Sequence, residues 1–130
     1  MSSSARVLAV DDDRLVRMSL RVTLRGAGLE VDTAATCKEA TTLLKNRPYG
    51  VVLTDLDLPD DSGLEVARCA KGTQPGTVVL LLTGSDEDFT PERATAVGVD
   101  GLILKPYRLA DLLQKIQTAL GEREPERSDA

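Results

Sequence analysis

Asp11, Asp12, Asp55, Thr83 and Lys105 sit just after short apolar runs, Val7–Val10, Val51–Thr54, Val78–Leu82 and Leu102–Leu104. Runs of this length and aliphatic character read as strands buried on both faces of a parallel sheet. Ligands of open α/β sheets bind outside the carboxyl ends of the strands. Residues from distant parts of the chain should therefore meet there: three carboxylates, one hydroxyl and one ammonium. Gathered carboxylates repel one another unless a cation joins them, and a hard, oxygen-seeking ion such as Mg²⁺ fits that role. The hydroxyl and the ammonium suit the oxygens of an incoming phosphoryl group.

Positioning such a set requires alternating strands and helices. Strands are expected at about 6–10, 29–34, 50–55, 77–82 and 100–104, and helices at about 14–26, 37–46, 63–71, 90–97 and 108–120. Five alternations indicate a parallel sheet covered on both faces. The helix starts carry their own signals. Thr36-Cys37-Lys38-Glu39 and Ser62-Gly63-Leu64-Glu65 have the form of capping boxes, and Thr90 before Pro91 looks like an N-cap. Glycines at 28, 98 and 121 mark expected helix ends. One segment conflicts. Met18 to Arg25 alternates apolar and polar residues, a strand pattern. It is still read as helix, because parallel strands need a crossover between them. On that helix Val16, Leu20, Leu24 and Ala27 would face the sheet, leaving Leu15, Met18 and Val22 as a second apolar stripe. That stripe either packs partly against a neighbouring helix or offers a docking patch to a partner helix.

Composition narrows the functions. A chain of 130 residues fits one domain, expected at 5–121, with a charged disordered tail or truncated linker at 122–130. A net charge of −5, with no Trp, one Phe and two Tyr, argues against nucleic-acid binding. No apolar run approaches a membrane span, and the N-terminus lacks a signal-peptide core, so a cytoplasmic setting with Cys37 and Cys69 reduced is expected. With no histidine, a histidine base, a zinc–histidine site and a phosphohistidine carrier are all removed.

Taken in order, Val10-Asp11-Asp12-Asp13, Leu53-Thr54-Asp55-Leu56-Asp57-Leu58-Pro59 with Gly63, Leu82-Thr83-Gly84 and Leu104-Lys105-Pro106 make residues 5–120 resemble the receiver domain of two-component response regulators, the chemotaxis-regulator type. The resemblance implies a flavodoxin-like doubly wound sheet in strand order 2-1-3-4-5, within three α/β/α layers. It makes Asp55 the phosphoacceptor, a carboxylate nucleophile that yields an acyl phosphate. Asp12 becomes a direct Mg²⁺ ligand, Asp11 a second one, directly or through water, with the Asp55 carboxylate and the backbone carbonyl of Asp57 completing the protein ligands. Lys105 would pair with Asp55 at rest and with the phosphoryl group afterwards, and Thr83 would donate its hydroxyl to a phosphoryl oxygen. A cis peptide before Pro106 would aim Lys105 inward.

The implied partner is a histidine kinase or histidine phosphotransfer protein, docking over Leu15, Met18, Val22, Pro106 and Tyr107. The downstream target is a protein that the sequence does not name. The resemblance implies neither nucleic-acid nor membrane binding by the domain itself, no turnover of an external substrate, and a monomer or weak dimer through the helix four–strand five–helix five face. Simpler readings stand beside these. Asp11 to Asp13 could form only an acidic helix cap, which explains one of the three aspartates, best Asp13. Two departures from the family pattern stand out. Leu102 occupies the position, three before the lysine, where receivers carry the aromatic ring of their switch; Tyr107 is the nearest aromatic on that face. Asp57 and Ser85 lie two residues past Asp55 and Thr83, positions that tune hydrolysis of the phosphoaspartate. Two alternatives remain open: a degenerate receiver that binds partners without phosphorylation, and a haloacid-dehalogenase-type phosphatase reading Asp55-Leu56-Asp57 as its Asp-x-Asp pair.

Overall fold

The structure, a computed structural model, describes residues 6–84 and 91–122, the side chains at 91, 93, 94 and 122 excepted. The expectations for Thr90, Ser85, residue 5 and the tail at 123–130 lie outside the described residues. Strands and helices alternate as β1 (Arg6–Val10), α1 (Arg14–Gly26), β2 (Glu30–Ala34), α2 (Cys37–Asn46), β3 (Val51–Asp55), α3 (Gly63–Thr73), β4 (Val78–Thr83), α4 (Pro91–Val97), β5 (Gly101–Leu104) and α5 (Leu109–Glu122). All four strand pairings are parallel, in the order β2-β1-β3-β4-β5. This is the flavodoxin-like three-layer sheet that the motif pattern implies.

Alternate residues of each strand serve opposite faces. Val7, Ala9, Leu53, Leu80, Leu82 and Ile103 pack under Leu20 and Leu24 of α1 and Leu112 and Ile116 of α5. Leu8, Val10, Val52, Val79 and Leu81 pack under Ala40 and Leu44 of α2 and Val66, Ala67 and Ala70 of α3. The central strands are therefore apolar on both sides. Burial of that kind supplies most of the folding free energy, at roughly 25 cal/mol per Å² of apolar surface.

Local chemistry sets the ends. Asp13 caps α1, its carboxylate accepting from the Leu15 amide at 2.9 Å and the Val16 amide at 3.3 Å. At the other end Gly28, with φ 90°, takes the left-handed conformation; its amide bonds Arg25 O and the Leu29 amide bonds Leu24 O. The alternating stretch Met18–Arg25 is helical, because Leu20 and Leu24 can reach the sheet only that way. Ala27 does not face the sheet as expected. It is the exposed C-cap of α1, and Leu29 closes that edge of the core instead. Leu15, Met18 and Val22 are 73, 48 and 71% exposed, so no neighbouring helix covers them among the described residues.

The first capping box forms with an offset: Thr36 accepts from the Glu39 amide at 3.0 Å, but Glu39 reaches back to the Ala35 amide at 2.8 Å. The second forms by half. Ser62 accepts from the Leu64 amide, whereas Glu65 pairs with Arg68. α5 continues through Gly121 rather than stopping there. Among the described residues no helix is long and apolar enough to cross a membrane.

Candidate phosphoacceptor and metal site

Strand register brings the candidate residues to one edge. Val10 of β1 lies opposite Thr54 of β3, so Asp11 and Asp55, the next residues along, are neighbours across the sheet. Asp55 pairs with Leu82 of β4, and Thr83 with Leu104 of β5, one residue before Lys105. The Lys105 amide donates to Thr83 O at 2.8 Å, and the Lys105–Pro106 peptide is cis.

The side chains converge. Lys105 Nζ donates to Asp55 Oδ2 at 3.0 Å and stands 4.0 Å from Asp11 Oδ2. Carboxylate oxygens of Asp11, Asp12 and Asp55 lie within 4.8 Å of one another. Asp11 and Asp55 are buried and Asp12 is exposed, so the cluster opens to solvent on one side. Asp11, Asp12, Asp13, Val16, Asp55, Lys105, Pro106 and Tyr107 line a cleft of about 550 Å³. Thr83 is buried at the end of β4.

Asp57 sits on the β3–α3 loop, bridged to Ser62, with its amide 3.5 Å from Asp55 Oδ1. Gly63 starts α3 against this loop, and a Cβ there would lie 2.0 Å from Asp55 O. Only glycine lets the helix approach the acceptor residue so closely. Leu102 is half-buried against the α2/α3 side of the core. Tyr107 packs against the opposite core and borders the cleft.

Electrostatics distinguish these groups. Burial pushes the Asp11 carboxyl above its usual range; the Asp13 amide opposes this, and the Asp55 charge adds to it. Asp11 Oδ1 accepts from the Asp13 amide at 2.9 Å, while Oδ2 has no hydrogen-bond partner among the described residues. A buried carboxylate oxygen without a partner is costly. Burial lowers the Lys105 ammonium, but the hydrogen bond and charge of Asp55 outweigh it, and its pKa is raised.

The arrangement fits a hard divalent cation. It offers a buried oxygen without a hydrogen bond, two further carboxylates within reach, and an all-oxygen donor set. Two contributors to the site's architecture carried no signal in the sequence. Arg17 donates to Asp11 O at 2.9 Å, and Asp60 donates nothing but accepts from two amides of α2. In sequence, lone charged residues resemble ordinary surface positions until the partner is seen.

Comparison with known proteins bears on the family and the fold. The family model described as response regulator receiver domain matches residues 7–117. The chain is 34% identical over 128 residues to the response regulator protein PilR of Pseudomonas aeruginosa, covering 98% of this chain and 29% of that protein. It is 37% identical over 124 residues to the response regulator MprA of Mycobacterium tuberculosis, covering 95% of this chain and 54% of the relative. The chain thus spans about half or less of the length of these curated relatives. A crystal structure of a response regulator receiver domain protein (CheY-like) from Methanospirillum hungatei superposes with a TM-score of 0.85 at 34% identity, covering 93% of this chain and 97% of that one.

Proposed function

The chain belongs to the response regulator receiver domain family, and from that premise we propose that it accepts a phosphoryl group on Asp55 from a histidine kinase or histidine phosphotransfer protein. The observation that carries this reading is the Asp55 carboxylate, buried beside the Lys105 ammonium at 3.0 Å and clustered with Asp11 and Asp12. An Asp55 oxygen forms the new O–P bond as the donor's N–P bond breaks, and the donor nitrogen keeps that electron pair. Lys105 shifts from the carboxylate to the phosphoryl oxygens, and the Thr83 hydroxyl donates to one of them. Positioning and charge neutralisation do most of the work in such transfers. Asp11, Asp12, Asp55 and the Asp57 carbonyl would hold Mg²⁺. When bound, Mg²⁺ supplies the positive charge that lets an anionic nucleophile meet an anionic phosphoryl group.

The apolar stripe Leu15, Met18 and Val22, with Pro106 and Tyr107 beside the cleft, is the proposed contact for the donor. It is exposed on the helix that Asp13 caps at the mouth of the site. The output is a population shift in the loops after β3 and β4 and in the α4–β5–α5 face. Incubation with acetyl phosphate and Mg²⁺ should add one phosphoryl mass to the wild type and none to Asp55→Asn. Labelling retained in Asp55→Asn would move the acceptor elsewhere. Absence of labelling in the wild type would leave the phosphorylation-independent binding module, which Leu102 at the switch position favours. Steady turnover of a phosphate monoester would revive the phosphatase alternative.

A further inference from the structure

Asp60 is an exposed residue of the β3–α3 loop, three positions beyond Asp57. Its two carboxylate oxygens accept from the first two amides of α2: Oδ1 from Cys37 at 2.9 Å and Oδ2 from Lys38 at 3.0 Å. A carboxylate is well placed at a helix N-terminus, where amides are unpaired and the peptide dipoles align. The helix has local caps of its own, because Thr36 accepts from the Glu39 amide and Glu39 from the Ala35 amide. The Asp60 bonds are different in kind: they tie a separate loop to that helix end.

The rest of the loop is held at its base, by the bridge between Asp57 and Ser62, and by Leu56 and Leu58 packed against the core. Leu56 N bonds Leu82 O at 2.9 Å, Gly63 N bonds Leu56 O at 2.7 Å, and Leu58 N bonds Asp61 O at 3.2 Å. The outward part, from Asp57 to Asp61, gains a long-range anchor through Asp60. Asp57 contributes a main-chain carbonyl to the metal site proposed above. A carbonyl cannot reorient without its backbone, so whatever fixes the loop fixes the ligand. Fixing it before binding spares the cost of ordering it during binding.

We propose that Asp60 is a positioning residue: by clamping the β3–α3 loop to the N-terminus of α2, it presets the Asp57 carbonyl for Mg²⁺. This rests on the metal reading above. It also couples the N-terminus of α2, which contributes no residue to the lining of the cleft, to metal capture.

Two variants separate the clamp from simple helix capping. Asp60→Ala and Thr36→Ala each remove an acceptor from the same helix end, and both should lower the melting temperature. Only Asp60→Ala frees the loop. By titration calorimetry, the Mg²⁺ Kd should rise about fivefold in Asp60→Ala and stay within about twofold of wild type in Thr36→Ala. In the metal-free protein, amide exchange at Leu58 should accelerate in Asp60→Ala alone. Should Asp60→Ala fold poorly, Asp60→Asn keeps one acceptor oxygen and should give an intermediate Kd. Wild-type Mg²⁺ affinity in both Asp60 variants, or equal weakening in Thr36→Ala, overturns the clamp while leaving the metal reading intact. A wild-type chain that binds no Mg²⁺ overturns the metal reading and the clamp with it.

Discussion

Asp11 carries the clearest conflict between stability and function at the level of single residues. Its carboxylate is buried, lies near Asp55 and Asp12, and keeps one oxygen without a hydrogen bond among the described residues. Its folded pKa is raised, so the folded chain binds this proton more tightly than the unfolded chain does. Ionisation therefore costs stability as pH rises from the unfolded value near 3.8 through the raised folded value, and the cost persists at neutral pH. Asp11→Asn removes the charge and keeps the acceptor for the Asp13 amide. We expect the metal-free melting temperature to rise by about 4 °C, equivalent to about 1 kcal/mol, and Mg²⁺ affinity to fall at least about tenfold. Melts with and without Mg²⁺ read both quantities. A variant that melts lower than wild type without metal would show that the carboxylate is stabilising after all. Lys105 follows the same direction in a higher pH window: its raised pKa means that the stability from its pairing is present below its unfolded pKa and is lost as pH rises through the folded one.

Among the elements, β2 shows how an edge strand is secured away from the site. Asp32 accepts from the Tyr49 hydroxyl at 2.7 Å and pairs with Arg47 at 3.1 Å and Arg6 at 3.4 Å. Burial pushes the Asp32 carboxyl up, yet the Tyr49 hydrogen bond and the two guanidiniums outweigh it and hold it below the usual range. Tyr49 is itself buried, and burial first and Asp32 second push its phenol well above the usual range, so it stays a donor at every ordinary pH. Tyr49→Phe should cost about 1 kcal/mol at neutral pH, with little change in packing. A depressed folded pKa gives stability that is present above the unfolded value near 3.8 and lost as pH falls through the folded value. The difference between Tyr49→Phe and wild type should accordingly shrink below about pH 4. Chemical denaturation across pH checks this, and a gap independent of pH would assign the loss to packing alone.

For the molecule as a whole, the proposed acceptor site and the proposed docking stripe lie on neighbouring elements. The cleft lies at the carboxyl ends of β1, β3 and β5, and α1, which carries the exposed stripe, contributes Val16 to its lining. Charges introduced at Leu15→Asp and Val22→Asp should slow phosphoryl transfer from a protein donor by about tenfold or more, through loss of a central apolar contact. Labelling by acetyl phosphate, which needs no docking face, should change little. Equal losses with both donors would place these residues in folding or chemistry rather than docking. Arg14, Arg17, Arg21 and Arg25 run along the same helix. Transfer between proteins should therefore weaken with salt more than labelling by the small molecule does.

Much of this was legible along the chain because the signals are local. Largely aliphatic runs of three to five residues marked four of the five strands, Asp13 and Thr36 marked helix starts, and Gly28 marked an end. Once the strands are parallel and adjacent, their carboxyl ends must share an edge, so the convergence of Asp11, Asp55 and Lys105 follows from topology. Other features came only with the tertiary structure. Asp60 meets the amides of residues 37 and 38 across the loop, and Tyr49 meets Asp32 across the edge of the core. Ala27 turned outward because the helix ends there, and Leu15, Met18 and Val22 stayed uncovered because no described neighbour reaches them. A polar side chain has no periodicity that names its distant partner. Such pairings are decided by which surfaces the packed layers bring face to face.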